Sequence, residues 1–227
     1  MNILALDTAG DVFSAALATE NGFWYNEVNA GSSHSELLME CIDCLFKLSK
    51  SPPEELNMIA CMKGPGSFTG LRIGFSTAKG LAMALGIPYV SIPTLDCMAY
   101  AFSAWPGIIL PVIDAKKGCF FSAFYRGYSR LSEYSDLPPD LIVDMIDKIR
   151  LSENEPLVLT GPGAALFLSR LPSDHVLKKT LLTPNNNRGR AWELLELSKS
   201  VNIKERLETE AGPVYLRKSD AELNKSQ

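Results

Sequence analysis

A strand-like apolar run that ends in an aspartate, a tight turn and a second strand-like run occur in this order twice in the chain. The first copy is NILALDTAGDVFSAALAT, which begins at Asn2, and the second is IILPVIDAKKGCFFSAFYRG, which begins at Ile108. A strand pattern followed by Gly-Pro-Gly and a helical pattern also recurs, at Gly64 and at Gly161. Because both features recur in the same order, the sequence predicts two copies of one βββαβα-like unit, the second of them trimmed.

The boundary between the copies is predicted near Trp105–Gly107, where a proline and a glycine interrupt an apolar stretch. The first domain would then span residues 1–105 and the second residues 106–227. Each is expected to be an α/β unit in which a mixed sheet is flanked by helices. Two linked units that each open with such a hairpin resemble the actin-like ATPase fold, a duplicated ribonuclease H-like architecture. That resemblance implies that the two hairpins face each other across a cleft and hold phosphates and metal there.

The composition argues against a protein that grips nucleic acid alone. The net charge is −4 and the sequence pI is about 5.3, whereas unaided nucleic-acid-binding domains usually have a basic face and a pI above about 9. The odd number of cysteines and the lack of a basic secretory leader predict reduced thiols in the cytoplasm. The apolar run CMAYAFSAWPGIILPVID is divided by Pro106 and Gly107, so we expect a soluble protein that does not enter a membrane.

The stretch KGPGSFTGLRIGFSTAKG, which begins at Lys63, resembles a nucleotide-binding loop, but it lacks the Gly-Lys-Ser/Thr of a P-loop. It also lacks the glycine spacing and the later acidic residue of a dinucleotide fingerprint. Two interpretations remain. The amides at the start of the following helix bind an anion, or, as we favour, the glycines permit close packing and present Phe68 to a partner. The residues of the candidate anion or nucleotide site are Asp7, Thr8, Gly64, Gly66, Ser67 and Thr69.

The motif GPGSFTGLRIG, at residues 64–74, follows LALDT near the start of the chain and HSE at the start of the first helix. With GIPYVSIPTLDCMA and the late PVYLR, it resembles the TsaB (YeaZ) family. The resemblance implies a non-catalytic subunit of the bacterial pathway that makes threonylcarbamoyladenosine in tRNA. It implies binding to TsaD, the relative that transfers the threonylcarbamoyl group to N6 of adenosine 37 in tRNAs reading codons that begin with A.

The same resemblance implies further partners. TsaE, an ATPase, joins the assembly, and tRNA is contacted only indirectly, through the complex. No cofactor of its own is implied, and ATP or ADP at the junction with TsaD stays an open alternative. Proteins of this family pair through their N-terminal helices with TsaD, or with a second copy of themselves when TsaD is absent. A homodimer is therefore expected in isolation.

The partner surface is expected on the first two helices. The apolar positions in SHSELLMECIDCLFKLSK form a stripe wider than burial on one sheet requires, and the second helix is rich in small residues. The competing interpretation is that both helices only cover their own sheet. Under the partner interpretation, changing Leu38 or Leu45 to glutamate abolishes pairing and leaves a folded monomer. The predicted partner-binding residues are His34, Glu36, Leu37, Leu38, Cys41, Leu45, Phe68, Arg72 and Phe75.

Neither a catalytic set nor a metal site is predicted. His34 is followed four positions later by Leu38, and His175 is distant in the sequence, whereas a catalytic zinc site normally needs three protein ligands. The Cys41-x-x-Cys44 pair lies within a helical pattern and has no second pair, so packing is favoured over redox chemistry or zinc binding. Neither HExxH nor GxSxG occurs, so proteolysis has no support.

Two alternatives to a non-catalytic scaffold subunit that binds TsaD stay open. One is a small actin-like ATPase or kinase with its own site, and the other is a nucleotide-sensing module without a tRNA role. Asp7 and Asp114 match the positions at which the aspartates of actin-like kinases act. The plainer interpretation is that each aspartate caps its turn. A candidate basic patch for RNA, for which solvated surface is the favoured interpretation, comprises Arg188, Arg190, Arg217 and Lys218.

Overall fold

The structure is a computed structural model that describes residues 1–29, 34–152, 154–175, 177, 181–182, 187–201, 212 and 216. For residues 34–36 and 181–182 only the backbone is described. The chain divides into two compact units. The first unit comprises Met1–Met98 and Asn187–Pro213, and the second comprises Ala99–Asn186 and Val214–Gln227.

Each unit combines runs of strands with helices, as expected for a protein of strands and helices packed in layers. The strands are β1 (Ile3–Asp7), β2 (Val12–Thr19), β3 (Gly22–Asn29), β4 (Met58–Gly64), β5 (Tyr89–Pro93), β6 (Ile108–Asp114), β7 (Phe120–Ser122), β8 (Tyr125–Arg126), β9 (Ser129–Arg130), β10 (Ser135–Leu137), β11 (Leu157–Thr160) and β12 (Leu181–Leu182). The helices are α1 (His34–Ser49), α2 (Phe68–Leu85), α3 (Thr94–Tyr100), α4 (Pro139–Ile149), α5 (Ala164–Arg170) and α6 (Ala191–Ser198).

The sheet of the first unit has the order β3-β2-β1-β4-β5. Its first three strands are antiparallel neighbours, and β4 and β5 run parallel to β1. Side chains alternate between the two faces of a strand, so Leu4 and Leu6 pack with α1 and α2 while Ile3 and Ala5 pack with α6. Because helices cover both faces, β1 is apolar at every position before Asp7.

The sheet of the second unit repeats this topology in the order β10-β7-β6-β11-β12, with β8 beside β6 and β9 beside β8. Its β6–β7 and β7–β10 pairs are antiparallel, and β11 and β12 run parallel to β6. The order and the directions of the strands match those of the first sheet. The predicted fold class, an α/β protein of two related actin-like subdomains that each have a mixed sheet flanked by helices, is confirmed.

The division of the chain differs from the single boundary predicted after residue 105, because α6 returns to the first unit. Ala191, Leu194 and Leu195 of α6 are buried against the sheet face that carries Ile3 and Ala5. Without α6, part of this apolar face would be exposed to water. The apolar stripe of a helix can be found in the sequence, but the stripe does not tell which of two sheets the helix covers.

Helix α2 begins at Phe68, directly after its N-cap residue. The Ser67 side chain accepts a hydrogen bond from the Gly70 amide over 3.2 Å and so caps the first turn. The helix ends at Gly86, whose φ of 67° lies in the left-handed region that glycine favours. Within the described part of the chain, the helices are too short or too polar to span a membrane.

Candidate functional site

The glycine-rich loop of the first unit packs closely against the turn that follows β1. A β-carbon at Gly66 would lie 2.5 Å from the carbonyl oxygen of Ala9, and a β-carbon at Gly70 would overlap the carbonyl oxygen of Thr8. One turn further along α2, a β-carbon at Gly74 would overlap the Thr8 hydroxyl. Close approach of the two backbones therefore explains why glycine stands at these three positions.

The polar groups of the predicted anion site form hydrogen bonds within the unit. The Thr8 hydroxyl donates to the carbonyl oxygen of Gly70 over 2.7 Å, and the Ser67 amide donates to the carbonyl oxygen of Ala9 over 2.7 Å. These bonds hold the start of α2 against the β1–β2 turn, which supports the packing interpretation of the loop. The predicted site has two other members. Gly64 is buried at the end of β4, and Thr69 is exposed in the first turn of α2.

Asp7, at the carboxyl end of β1, is buried, and both of its carboxylate oxygens accept hydrogen bonds. Oδ1 accepts from the Ala9 amide over 3.0 Å, and Oδ2 accepts from the Arg190 amide over 2.7 Å. Burial raises the pKa of Asp7 to about 6, although these two bonds and the Arg190 charge act in the opposite direction. While the Arg190 contact persists, this carboxylate is not exposed to a metal ion or to a substrate.

Residues 188–191, called the strap from here on, fasten the N-terminal end of α6 to the first sheet. Besides the bond from Arg190 to Asp7, the Ala191 amide donates to Ser14 Oγ of β2 over 3.0 Å. Gly189 lies so close to this strand that a β-carbon there would overlap Ser14 Oγ. The strap therefore requires glycine at this position for its close approach to β2.

Strand β3 binds the strap as well. The Gly189 amide donates to Glu27 Oε2 over 3.0 Å, and the Tyr25 hydroxyl lies 3.0 Å from the Gly189 carbonyl oxygen. Sequence reasoning missed these contacts because Gly189 and Glu27 are 162 positions apart. The available local signal was a glycine between two arginines, which indicates a loop but not its partner.

The arginines of the strap do not both belong to a solvated basic surface. Arg190 is 6% exposed, and its Nη1 donates to Glu193 Oε1 over 3.1 Å, so the predicted surface position is wrong for this residue. Arg190 is part of the strap, and its side chain is directed towards Glu193 of α6. Arg188 is exposed, with Nε 3.8 Å from Glu27 Oε2. The other members of the predicted patch, Arg217 and Lys218, lie outside the described residues.

Asp114 ends β6 of the second unit as Asp7 ends β1 of the first. Its Oδ1 accepts from the Lys116 amide and its Oδ2 from Lys116 Nζ, each over 2.8 Å. Burial raises the pKa of Asp114, but the hydrogen bonds and charge of Lys116 outweigh burial and hold the pKa below its ordinary value. A β-carbon at Gly163 would lie 2.8 Å from the Asp114 amide nitrogen, so this unit's glycine turn also packs on its hairpin. In both units the aspartate accepts hydrogen bonds from its own turn, as in the plainer interpretation.

Three of the predicted partner-binding residues lie in the core of the first unit. Leu38, Leu45 and Phe75 are no more than 6% exposed and pack in the cluster between the sheet and helices α1 and α2. Positions 38, 42, 45 and 49 form the buried side of α1, which is narrower than the stripe inferred from the sequence. The side chains of Leu45 and Phe75 are therefore not a free surface that a partner could bind, and Leu38, 1% exposed, only borders a groove between α1 and α2.

The other predicted partner-binding residues differ in exposure. Phe68 is 42% exposed, and the guanidinium carbon of Arg72, one turn later on α2, lies 3.8 Å from the centre of its ring. This distance is typical of a cation–π contact. Leu37 and Cys41 of α1 are half-buried. His34 and Glu36 are residues of α1, and their side chains lie outside the described part of the structure.

An open groove of about 480 Å³ runs beside the Phe68–Arg72 pair, and residues of both α1 and α2 line it. Met39 of α1 lines the groove and is exposed, and Met83, further along α2, is exposed as well. A β-carbon at Gly80 of α2 would touch nothing within 4 Å, so at this position the helix backbone is not covered by a side chain. Sequence reasoning missed Met39 and Met83, because burial on the sheet, not composition, decides which apolar residues of α1 and α2 stay exposed. The other groove residues are Leu38, Thr69, Ile73, Ser76 and Thr77.

The described residues offer no cluster of three or more His, Cys, Asp or Glu side chains that could hold a metal ion. Burial, with a smaller effect of Cys44 and Glu40, raises the pKa of the Cys41 thiol, which disfavours the reactive thiolate. His175 Nδ1 accepts a hydrogen bond from the Leu177 amide over 3.2 Å, so this histidine has a local structural role.

A family model described as "TsaD: tRNA N6-adenosine threonylcarbamoyltransferase" matches residues 28–160, which is more than half of the chain. The Bacillus subtilis protein named "tRNA threonylcarbamoyladenosine biosynthesis protein TsaB" is 29% identical over 226 residues, which cover 98% of this chain and 96% of that protein. The Escherichia coli protein of the same name is 32% identical over 128 residues, or 56% of this chain and 55% of that protein.

Among solved structures, YeaZ from Pseudomonas aeruginosa superposes with a TM-score of 0.79 at 22% sequence identity. The match covers 95% of this chain and 99% of YeaZ, so it shows a common fold over nearly the whole length. The family model, the full-length relative and this structure agree with the motif at residues 64–74. The chain belongs to the wider family that the TsaD model describes, and within it to the TsaB (YeaZ) family.

Proposed function

We propose that this protein is a non-catalytic subunit in the biosynthesis of threonylcarbamoyladenosine in tRNA, and that it acts by binding TsaD through α1 and α2. The relatives named TsaB support the pathway. The observation that carries the partner role is the pair of exposed apolar side chains at the groove, Met39 and Phe68, with Met83 also exposed further along α2. Exposed apolar side chains grouped around a groove are typical of protein-binding surfaces.

The chemistry of this surface suits a helical partner. Phe68 and Arg72 form an aromatic–arginine pair, and these residue types are enriched among those that dominate binding energy. Met39 and Met83 are flexible apolar side chains that adapt to the shape of a partner. The uncovered helix backbone at Gly80 permits another helix to approach α2 closely. The same surface pairs two copies of the protein when TsaD is absent.

The non-catalytic part of the proposal is supported by the hydrogen bonds of the two hairpins. Asp7 is bound by backbone amides of Ala9 and Arg190, and Asp114 is bound by Lys116. We propose that TsaE and tRNA associate with the complex and not with this protein alone, and that any ATP or ADP binds at the junction with TsaD. The acidic pI accords with indirect contact to tRNA.

The test is the binding of purified TsaD from the same organism to the variant Phe68→Glu. Because Phe68 is exposed at the first turn of α2, glutamate is tolerated there by the fold. The expected result is a loss of affinity for TsaD of about 30-fold or more, the effect typical of a residue that dominates an interface. Isothermal titration calorimetry measures it, and light scattering should show a monomer of 24.9 kDa.

Leu151→Glu is the matched control, since Leu151 is 80% exposed and lies in the second unit. It should bind TsaD like the unchanged protein and stay dimeric alone. Normal TsaD binding by Phe68→Glu would refute the proposed surface. Formation of threonylcarbamoyladenosine, or ATP turnover with candidate sugars or acids, by this protein alone would refute the non-catalytic role and favour the ATPase or kinase alternative.

A further inference from the structure

The strap is held almost entirely by polar contacts to side chains of three neighbouring strands. Its successive amides donate to Glu27 of β3, Asp7 of β1 and Ser14 of β2. The apolar contacts of α6 begin only at Ala191 and continue at Leu194. Residues 188–190 of the strap are therefore held mainly by hydrogen bonds, whereas α6 is held by apolar contacts from Ala191 onwards.

The contacts of the strap also include groups whose burial is unfavourable in free energy. The Asp7 carboxylate is buried, and burial of a charge is costly even where it is hydrogen-bonded. Arg190 Nε is buried and has no hydrogen-bond acceptor among the described residues. A buried donor without an acceptor carries the full desolvation cost of that group. The closed state is thus less stable than the number of its hydrogen bonds suggests.

We propose that the strap is a pH-sensitive latch, which detaches residues 188–190 from the Asp7 end of β1 without unfolding of the first sheet. While the latch is closed, the Asp7 carboxylate is shielded from ligands. When the latch opens, that carboxylate becomes exposed to water. The geometry that supports the latch is the run of amide bonds to Glu27, Asp7 and Ser14, together with the glycine that the close approach requires.

The direction of the pH effect follows from the groups that face Asp7. They are Arg190 and Glu193 on the α6 side, Tyr25 on β3 and Cys97 on α3. With the latch closed, burial raises the pKa of Asp7 from 3.8 to about 6. The closed state therefore holds the proton more tightly than the open state, so closure is favoured as the pH falls from 7 through 6 and weakened as it rises.

The experiment is amide hydrogen exchange, followed by NMR on the full chain at pH 5 and pH 7 and corrected for intrinsic rates. The protection factors of the Gly189 and Arg190 amides are expected to be about tenfold higher at pH 5, the change that two pH units give across a pKa near 6. The Ala60 amide in the buried strand β4 is expected to be more protected than both at either pH.

Two variants separate the latch from a general change of stability. Asp7→Asn should remove the tenfold pH effect on the Arg190 amide, because asparagine does not titrate. Glu27→Ala should lower strap protection by roughly tenfold at both pH values through loss of the Gly189 bond, and should keep the pH effect. Equal protection of the strap and Ala60, or a pH effect that persists in Asp7→Asn, would overturn the latch.

Discussion

Glutamate in place of Leu45 is expected to prevent folding of the first unit. Leu45 has no exposed surface and packs in the cluster between α1 and the sheet. Removing a buried leucine side chain costs about 2–5 kcal/mol, and an unpaired buried carboxylate adds several kcal/mol more. A loss of that size equals most of the ~5–15 kcal/mol that stabilises a typical domain. Circular dichroism and urea unfolding of the purified variant measure it.

Leu48→Glu is the matched control, one turn further along the same helix. Leu48 is 58% exposed, so its replacement should change the free energy of unfolding by no more than about 0.5 kcal/mol. The two substitutions introduce the same charge on the same helix and differ mainly in burial. A folded, monomeric Leu45→Glu protein would contradict the core position and restore Leu45 to the partner surface predicted from the sequence.

Gly70→Ala is expected to destabilise the first unit by about 3 kcal/mol or more, the upper range for an atom inserted into a packed region. The added β-carbon would overlap the carbonyl oxygen of Thr8, a backbone atom that cannot rotate away. The substitution would also separate Gly70 from the Thr8 hydroxyl that donates to it. Urea unfolding monitored by circular dichroism should show a lower midpoint with an unchanged slope.

Gly80→Ala, on the same helix, should raise the free energy of unfolding, whereas Gly70→Ala lowers it. A β-carbon at Gly80 would meet nothing within 4 Å, and alanine in a helix interior is favoured over glycine by about 1 kcal/mol. Each variant adds one methyl group to α2, and the two variants differ only in the position of that group. If Gly70→Ala were as stable as Gly80→Ala, the glycines of the loop would not be required by packing, and the anion interpretation of the loop would regain support.

The two pairs of variants also separate structure from partner binding. Gly70 and Leu45 stabilise the first unit, whereas the proposed TsaD surface consists of exposed residues such as Phe68 and Met83. Loss of TsaD binding in a Gly70 or Leu45 variant would therefore report unfolding of the first unit. A folded Phe68→Glu protein that no longer binds TsaD is the informative result for the function.

Local patterns in the sequence were enough to predict much of the fold. The continuous apolar run of β1, which ends at Asp7, depends on residues that are neighbours in the chain. The repeat of the hairpin at Asp7 and Asp114 predicted two related sheets, and the motif at residues 64–74 indicated the family. These features are encoded within short segments, so they can be recognised without a structure.

The tertiary structure alone decided which side of α1 is buried and where α6 and the strap lie. Periodicity identifies an apolar stripe, but its exposed edge depends on how the helix packs on the sheet, which separates Leu45 from Leu48. The bond between Asp7 and Arg190 joins residues 183 positions apart. Such a contact depends on the path of the whole intervening chain, and no local pattern near either residue specifies its partner.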